Sequence, residues 1–220
     1  ILAMGEESWR VHTVGFPVID LIAEKRYATS EEVIKKLSLD LTQPIILVTQ
    51  HSVTTEFEDS FTQLKPSLDS SRGIQIIMTY PNNDAGGESI ISSIKTLVSE
   101  SLPGIQVHRS LGRYTYHGVL ALAWNSDVKV ACVGNSSSGI KETPAFGCPT
   151  VHIGYRQEGR LRGNNVLDAG YSCKEIVSAV ERCFDNKGFR EKCRKTNNPY
   201  YLGDAGKKIA SVLSSVPLDQ

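Results

Sequence analysis

The feature of this sequence that most limits its fold is a short apolar run that recurs along the chain and ends each time in polar residues. The stretches "QPIILVTQH", "GIQIIMTYP", "GIQVHRS", "VKVACVGNS" and "PTVHIGYR" all have this form. Near-continuous apolar runs of four to six residues, without alternation, fit strands buried on both faces of a sheet. Between them, "TTEFEDSFTQLKPSL", "GESIISSIKTLVSES", "YTYHGVLALAWNS" and "SGIKETPAFG" carry helical apolar spacing. Strands alternating with helices predict a doubly wound α/β domain around a parallel sheet, Rossmann-like in form.

The ends of the chain complete this plan. "WRVHTVG" predicts a first strand that stops at the Gly15-Phe16-Pro17 break, and Pro17 suits the first turn of a helix running to Glu24. Thr29 or Ser30 caps a second helix with Val33, Ile34 and Leu37 on one face. "CKEIVSAVERCF", "KGFREKCRKT" and "DAGKKIASVLSSV" predict a helical tail. The sequence contains no internal repeat, low-complexity segment or long linker.

Charge and cysteine usage narrow the function. The 220 residues hold 24 Lys plus Arg against 24 Asp plus Glu, so no cationic excess is available to neutralise a nucleic-acid backbone. No apolar run is long enough to span a bilayer, and the opening residues lack the layout of a signal peptide, so the expected location is the cytoplasm and no membrane partner is expected. The five cysteines include no C-x-x-C and no nearby His at ligand spacing, which favours reduced thiols over a metal site.

In a doubly wound sheet, ligands bind beyond the carboxyl ends of the strands. Those ends carry "TQHSVTTE", "YPNNDAGG", "HRSLGRYTYH" and "GNSSSGIKE", with "GYRQEGRLRGNNV" after the last predicted strand. Ser136 and Ser137 open a helix, where they either cap it or help seat an anion such as a diphosphate. Glu142, about one turn on, is either a stabilising charge near a helix start or an acceptor for ribose hydroxyls. His51 can donate to a phosphate or move a proton near neutral pH, or be held by backbone. Arg109, Arg113, Arg156 and Arg160 fall near the same mouth, and Tyr114 and Tyr116 could pack on a base or in the helix core. The sum points to a nucleotide or nucleotide-sugar site.

The ordered set "TQHSVTTE", "YPNNDAG", "VGNSSSGIKETPAFGCPTVHIGYRQEGRLRGNNVL" and "NPYYLGDAGKKI" resembles the UDP-N-acetylglucosamine 2-epimerases, most of all their hydrolysing branch, from about Trp9 to Leu213. The resemblance implies the C-terminal half of a two-domain GT-B architecture. In that frame, residues 1–16 lead out of an upstream domain, 17–196 form the UDP-binding domain and 197–220 supply a helix that crosses back. The chain opens on Ile1 rather than Met, which agrees with an expected upstream half.

Carried over by position, the resemblance implies that His51 is catalytic and contacts UDP. Asn82 and the backbone near Tyr114 line the nucleotide, Ser136 and Ser137 bind the diphosphate, Glu142 binds the ribose and Arg156 adds a further UDP contact. The implied ligands are UDP-N-acetylglucosamine and UDP, with no cofactor and no metal. The implied reaction eliminates UDP to a glycal and hydrates it, releasing N-acetylmannosamine for sialic-acid-type pathways. The carboxylates at C2 belong to the upstream half, so this half alone is expected to bind UDP without turnover, and the full-length protein is expected to be a homo-oligomer. Three other readings fit the same residues: the donor-binding domain of a GT-B glycosyltransferase, an epimerase for a UDP-2,4-diacetamido sugar, and a non-catalytic nucleotide-sugar sensor.

Overall fold

The strand β1, Ile45–Thr49, is buried at every position, as its unbroken apolar sequence requires. Together with β2 (Gln75–Thr79), β3 (Ile105–His108), β4 (Val130–Gly134), β5 (Thr150–Ile153) and β6 (Val166–Ala169), it forms a parallel sheet in the order β3-β2-β1-β4-β5-β6. The structure is a computed structural model, and it describes residues 1–51, 73–81, 90–92, 94–96 and 104–216. The predicted helix "TTEFEDSFTQLKPSL" lies outside the described residues. Of "GESIISSIKTLVSES", the described residues 90–92 and 94–96 are helical.

The two-residue period of a strand sends Ile45 and Leu47 to one face and Ile46 and Val48 to the other. On the first face they pack with Val33 and Leu37 of α2 (Ser30–Leu37), Val119 and Leu120 of α3 (Gly112–Ala121), and Phe146. On the second they pack with Ile176, Val180 and Phe184 of a later helix, Cys173–Asp185. The first helix, α1 (Pro17–Ala23), starts on Pro17 as expected and buries Ile19 and Ile22. Thr29 caps α2 in a reciprocal box: its hydroxyl accepts from Glu32 N at 3.3 Å, and Glu32 Oε2 accepts from Thr29 N at 2.8 Å.

Three local expectations are corrected. Residues 9–16 join no sheet; Ser8–Arg10 form a 3₁₀ turn, and Phe16 N instead donates to Tyr200 O at 3.0 Å. Apolar composition makes a strand only where a partner edge is available, and here that segment is taken up by the C-terminal region. The stretch "SGIKETPAFG" is one α turn, α4 (Ser138–Lys141), followed by a 3₁₀ turn at Thr143–Phe146. Pro144 cannot donate and disfavours α geometry at Thr143, which divides the helix. The polar stretch after β5 does not end the sheet, because β6 adds an edge strand whose half-exposed "VLDA" lacks a continuous apolar run.

The chain closes with α5 (Cys173–Asp185), α6 (Lys187–Arg194) and α7 (Ala205–Ser215). At the start of α7, Gly206 N donates to Asp20 Oδ2 at 3.0 Å, which ties the tail to α1.

Candidate functional site at the strand crossover

Strand order reverses between β1 and β4: from β1 the sheet proceeds to β2 and β3 on one side, and from β4 to β5 and β6 on the other. The connections leaving the two carboxyl ends therefore diverge and open a crevice, which is where this topology places ligands. His51 follows β1 and the serine turn follows β4, so the sequence-predicted groups His51, Ser136 and Ser137 meet at this crossover.

The approach of the two strands is made possible by Gly134. Its φ is +135°, and a Cβ there would collide with Thr49 O. The next residue, Asn135, is buried and clasps His51 with both ends of its carboxamide. His51 N donates to Asn135 Oδ1 at 2.8 Å, and Asn135 Nδ2 donates to His51 O at 2.9 Å. Asn135 O in turn accepts from Gln157 Nε2 at 3.0 Å and from Arg156 Nη1 at 3.3 Å. Arg156 thus reaches the crossover, whereas Arg113 donates to Arg26 O at 2.8 Å and Arg109 and Arg160 are exposed.

The serine turn is organised from beneath by a line of hydroxyls. Thr49 Oγ1 donates to Tyr116 OH at 3.5 Å, Tyr116 OH is 2.8 Å from Ser138 Oγ, and Ser138 Oγ donates to Ser136 Oγ at 3.0 Å. Because Ser138 gives its proton to Ser136, Tyr116 is the donor to Ser138. Ser136 Oγ also accepts from Ser138 N at 3.3 Å, so its own O–H remains available to a ligand. Burial pushes the Tyr116 phenol well above its ordinary value, with Cys132 adding to the effect, which keeps Tyr116 a donor. Ser137 makes no capping bond from its side chain.

Glu142 ends the α4 turn, and its Oε2 is 2.7 Å from Nε2 of His117 on α3. His117 is fully buried, and its Nδ1 has no partner. The Glu142 side chain retains 16 % exposure, so the pair links the buried core to the surface.

Tyr114 lies on the opposite phase of α3 from Tyr116. Its hydroxyl donates to Glu32 Oε2 at 3.0 Å and its carbonyl accepts from Ala28 N at 3.1 Å, so this side chain engages α2 and not the serine turn. Asn82 lies outside the described residues. Asn135, His117 and Gln157 were not singled out in the sequence. Only their place beside the strand ends, in "VGNSSS", "YTYHG" and "GYRQ", hinted at them. Among the described residues no group of three or more His, Cys, Asp and Glu side chains could hold a metal ion, and no helix is long and apolar enough to cross a membrane.

Fold and crevice define a doubly wound α/β domain with a polar seat at its topological switch point. The match to known proteins is narrower: residues 1–214 fit the family model described as UDP-N-acetylglucosamine 2-epimerase, and the chain belongs to that family. A UDP-N-acetylglucosamine 2-epimerase of Neisseria meningitidis is 33 % identical over 190 residues, 83 % of this chain and 46 % of that protein. A GDP/UDP-N,N'-diacetylbacillosamine 2-epimerase (hydrolyzing) of Campylobacter jejuni is 29 % identical over 194 residues, 87 % of this chain and 48 % of that protein. The crystal structure of a Neisseria meningitidis UDP-GlcNAc 2-epimerase bound to UDP-GlcNAc superposes with a TM-score of 0.65 at 18 % identity, covering 98 % of this chain and 57 % of that one. The chain therefore spans about half the length of the curated relatives it matches.

Proposed function

We propose that this chain is the UDP-binding half of a hydrolysing UDP-N-acetylglucosamine 2-epimerase. The observation that carries the proposal is the crossover itself: in a chain of this family, the clasped His51 and the serine turn follow the two strands that part there, and the Glu142 carboxylate ends the same turn. In this reading Ser136 and Ser137 bind the diphosphate, Glu142 accepts from the ribose hydroxyls, and Arg156 adds positive charge near the phosphates. Asn82 and the backbone near Tyr114 line the nucleotide. Residues 17–196 constitute the binding domain, with 1–16 leading into it and 197–220 crossing back to an upstream half in a GT-B arrangement.

The chemistry follows from the substrate. The C2 proton of the sugar has no adjacent carbonyl to acidify it, so its loss is coupled to departure of UDP. The C2–H electron pair forms the C1–C2 double bond as the C1–O bond breaks and its electrons leave with the diphosphate. Water then adds across the glycal, delivering hydroxyl to C1 and a proton to the opposite face of C2. The preorganised donors of the serine turn act where charge grows on the leaving diphosphate, and His51 positions or protonates it. The groups that move the C2 proton lie in the upstream half, and the whole protein works in the cytoplasm as a homo-oligomer.

Because the hydrolysing relative from Campylobacter is named for a diacetamido sugar, a UDP-2,4-diacetamido substrate is the second reading. Calorimetry tests the binding half: the chain should bind UDP, and Glu142→Ala or a Ser136→Ala, Ser137→Ala double variant should abolish that binding. A folded chain that binds no UDP would overturn the site. Product analysis with the two UDP-sugars, run on the chain completed by its upstream half, separates the substrates. Release of free N-acetylmannosamine and UDP supports the first reading, and turnover of the diacetamido sugar alone supports the second.

A further inference from the structure

The strongest unabsorbed feature is His117, a fully buried imidazole bonded to the partly exposed Glu142. Its Nε2 is 2.7 Å from Glu142 Oε2, while Nδ1 is buried without a partner and the ring packs 5.4 Å from Phe146. Because its partner is a carboxylate, which only accepts, Nε2 carries a proton and donates to Glu142 Oε2, while Nδ1 faces the core.

We infer that His117 is a positioning residue that holds Glu142 as a ribose-reading carboxylate. This rests on the UDP reading of the crevice. The bond fixes one oxygen, Oε2, by a charge-assisted contact and leaves Oε1 as the acceptor for a vicinal diol. It also gives a carboxylate with 16 % exposure a fixed donor on one oxygen, which does not compete for the other. The buried imidazole does for Glu142 what outer partners do for metal ligands and catalytic bases: it sets the orientation of a group that must meet its ligand within a narrow range. The class selected is a ribonucleoside diphosphate, as against its deoxy counterparts.

The test compares UDP with 2',3'-dideoxy-UDP by calorimetry on the chain and two variants. His117→Phe keeps the ring volume and removes the donor, and His117→Gln places an amide N–H near the Nε2 position. The wild-type chain should prefer UDP. His117→Phe should weaken UDP roughly ten-fold, the scale of one hydrogen bond to a charged group, and leave the dideoxy analogue unchanged. His117→Gln should restore most of the loss. Equal weakening of both nucleotides by His117→Phe, or no weakening of either, overturns the inference. A wild-type chain that binds both nucleotides equally overturns the inference and leaves the diphosphate seat standing, whereas one that binds neither overturns the UDP reading itself.

A nitrogen-resolved NMR spectrum gives a second measurement that does not depend on ligand or on His117→Phe folding. A hydrogen-bonded Nε2–H of His117 should be present in the wild-type chain and should shift or vanish in Glu142→Ala. A protonated Nδ1 with a bare Nε2 would overturn the assignment.

Discussion

Asn135 clasps His51 across the strand crossover, accepting from its N–H at 2.8 Å and donating to its C=O at 2.9 Å. One side chain thereby satisfies two backbone groups that β1 can no longer pair once the ladder ends at Thr49 and Gly134. Asn135→Ala removes both bonds and leaves His51 O with the longer contact from Gln50 Nε2 at 3.3 Å. Stability should fall by about 2 kcal/mol, read from the urea midpoint. Asn135→Asp retains the acceptor for His51 N but turns a second acceptor towards His51 O at a buried position, so it should lose at least as much. Equal midpoints for wild type and Asn135→Ala would mean that the clasp is energetically idle.

Tyr116 links the sheet to the serine turn, because its hydroxyl lies 3.5 Å from Thr49 Oγ1 and 2.8 Å from Ser138 Oγ. Tyr116→Phe keeps the ring in the core and deletes the relay. Stability should drop by about 1 kcal/mol, and UDP should bind several-fold more weakly because the Ser136 hydroxyl loses its enforced outward role. Calorimetry showing undiminished UDP binding by Tyr116→Phe would detach the relay from the site.

The pH dependence of stability should carry a contribution from His152 on β5, which is buried with Nε2 unpartnered. Burial holds its pKa below the ordinary 6.5, reinforced by the charge of Arg162 and opposed by Asp168. Between the folded and unfolded values the unfolded chain binds the extra proton, so stability rises with pH there. The contribution is fully present above about pH 6.5 and is lost as pH falls through that value towards the folded pKa. His108 shifts in the same direction, through burial and then Lys36, and adds to the slope. Urea melts at several pH values should therefore show a midpoint falling on acidification, less steeply in His152→Gln. An unchanged slope in that variant would assign the acid sensitivity elsewhere.

The local features of this fold were readable one segment at a time. Strands buried on both faces are largely apolar, and that pattern marked β1, β2, β4 and β5, while the half-exposed edge strand β3 showed through Ile105 and Val107. Pro17 and Thr29 marked two helix starts by chemistry that acts within one turn. The edge strand β6 escaped, because a strand covered on only part of its surface need not be apolar. "WRVHTVG" misled for the converse reason, since composition favours a strand but a neighbouring edge must exist to complete it.

The candidate site divides in the same way. His51, Ser136, Ser137, Glu142 and Arg156 were legible because strand ends in a doubly wound sheet are where polar clusters gather. The partners that orient them were not. Asn135 meets His51 across 84 positions, and His117 meets Glu142 across 25. Tyr116 rather than Tyr114 faces the serines because of helical phase, as residues two apart on a helix point to different sides. What the sequence determined alone is the buried strands, the capped helix starts and the chemical groups at their ends, since these depend on periodicity and local backbone preference. Only the tertiary structure decided which ends meet, because strand order is a property of the whole sheet, and with it came the clasp, the hydroxyl line and the buried histidine behind Glu142.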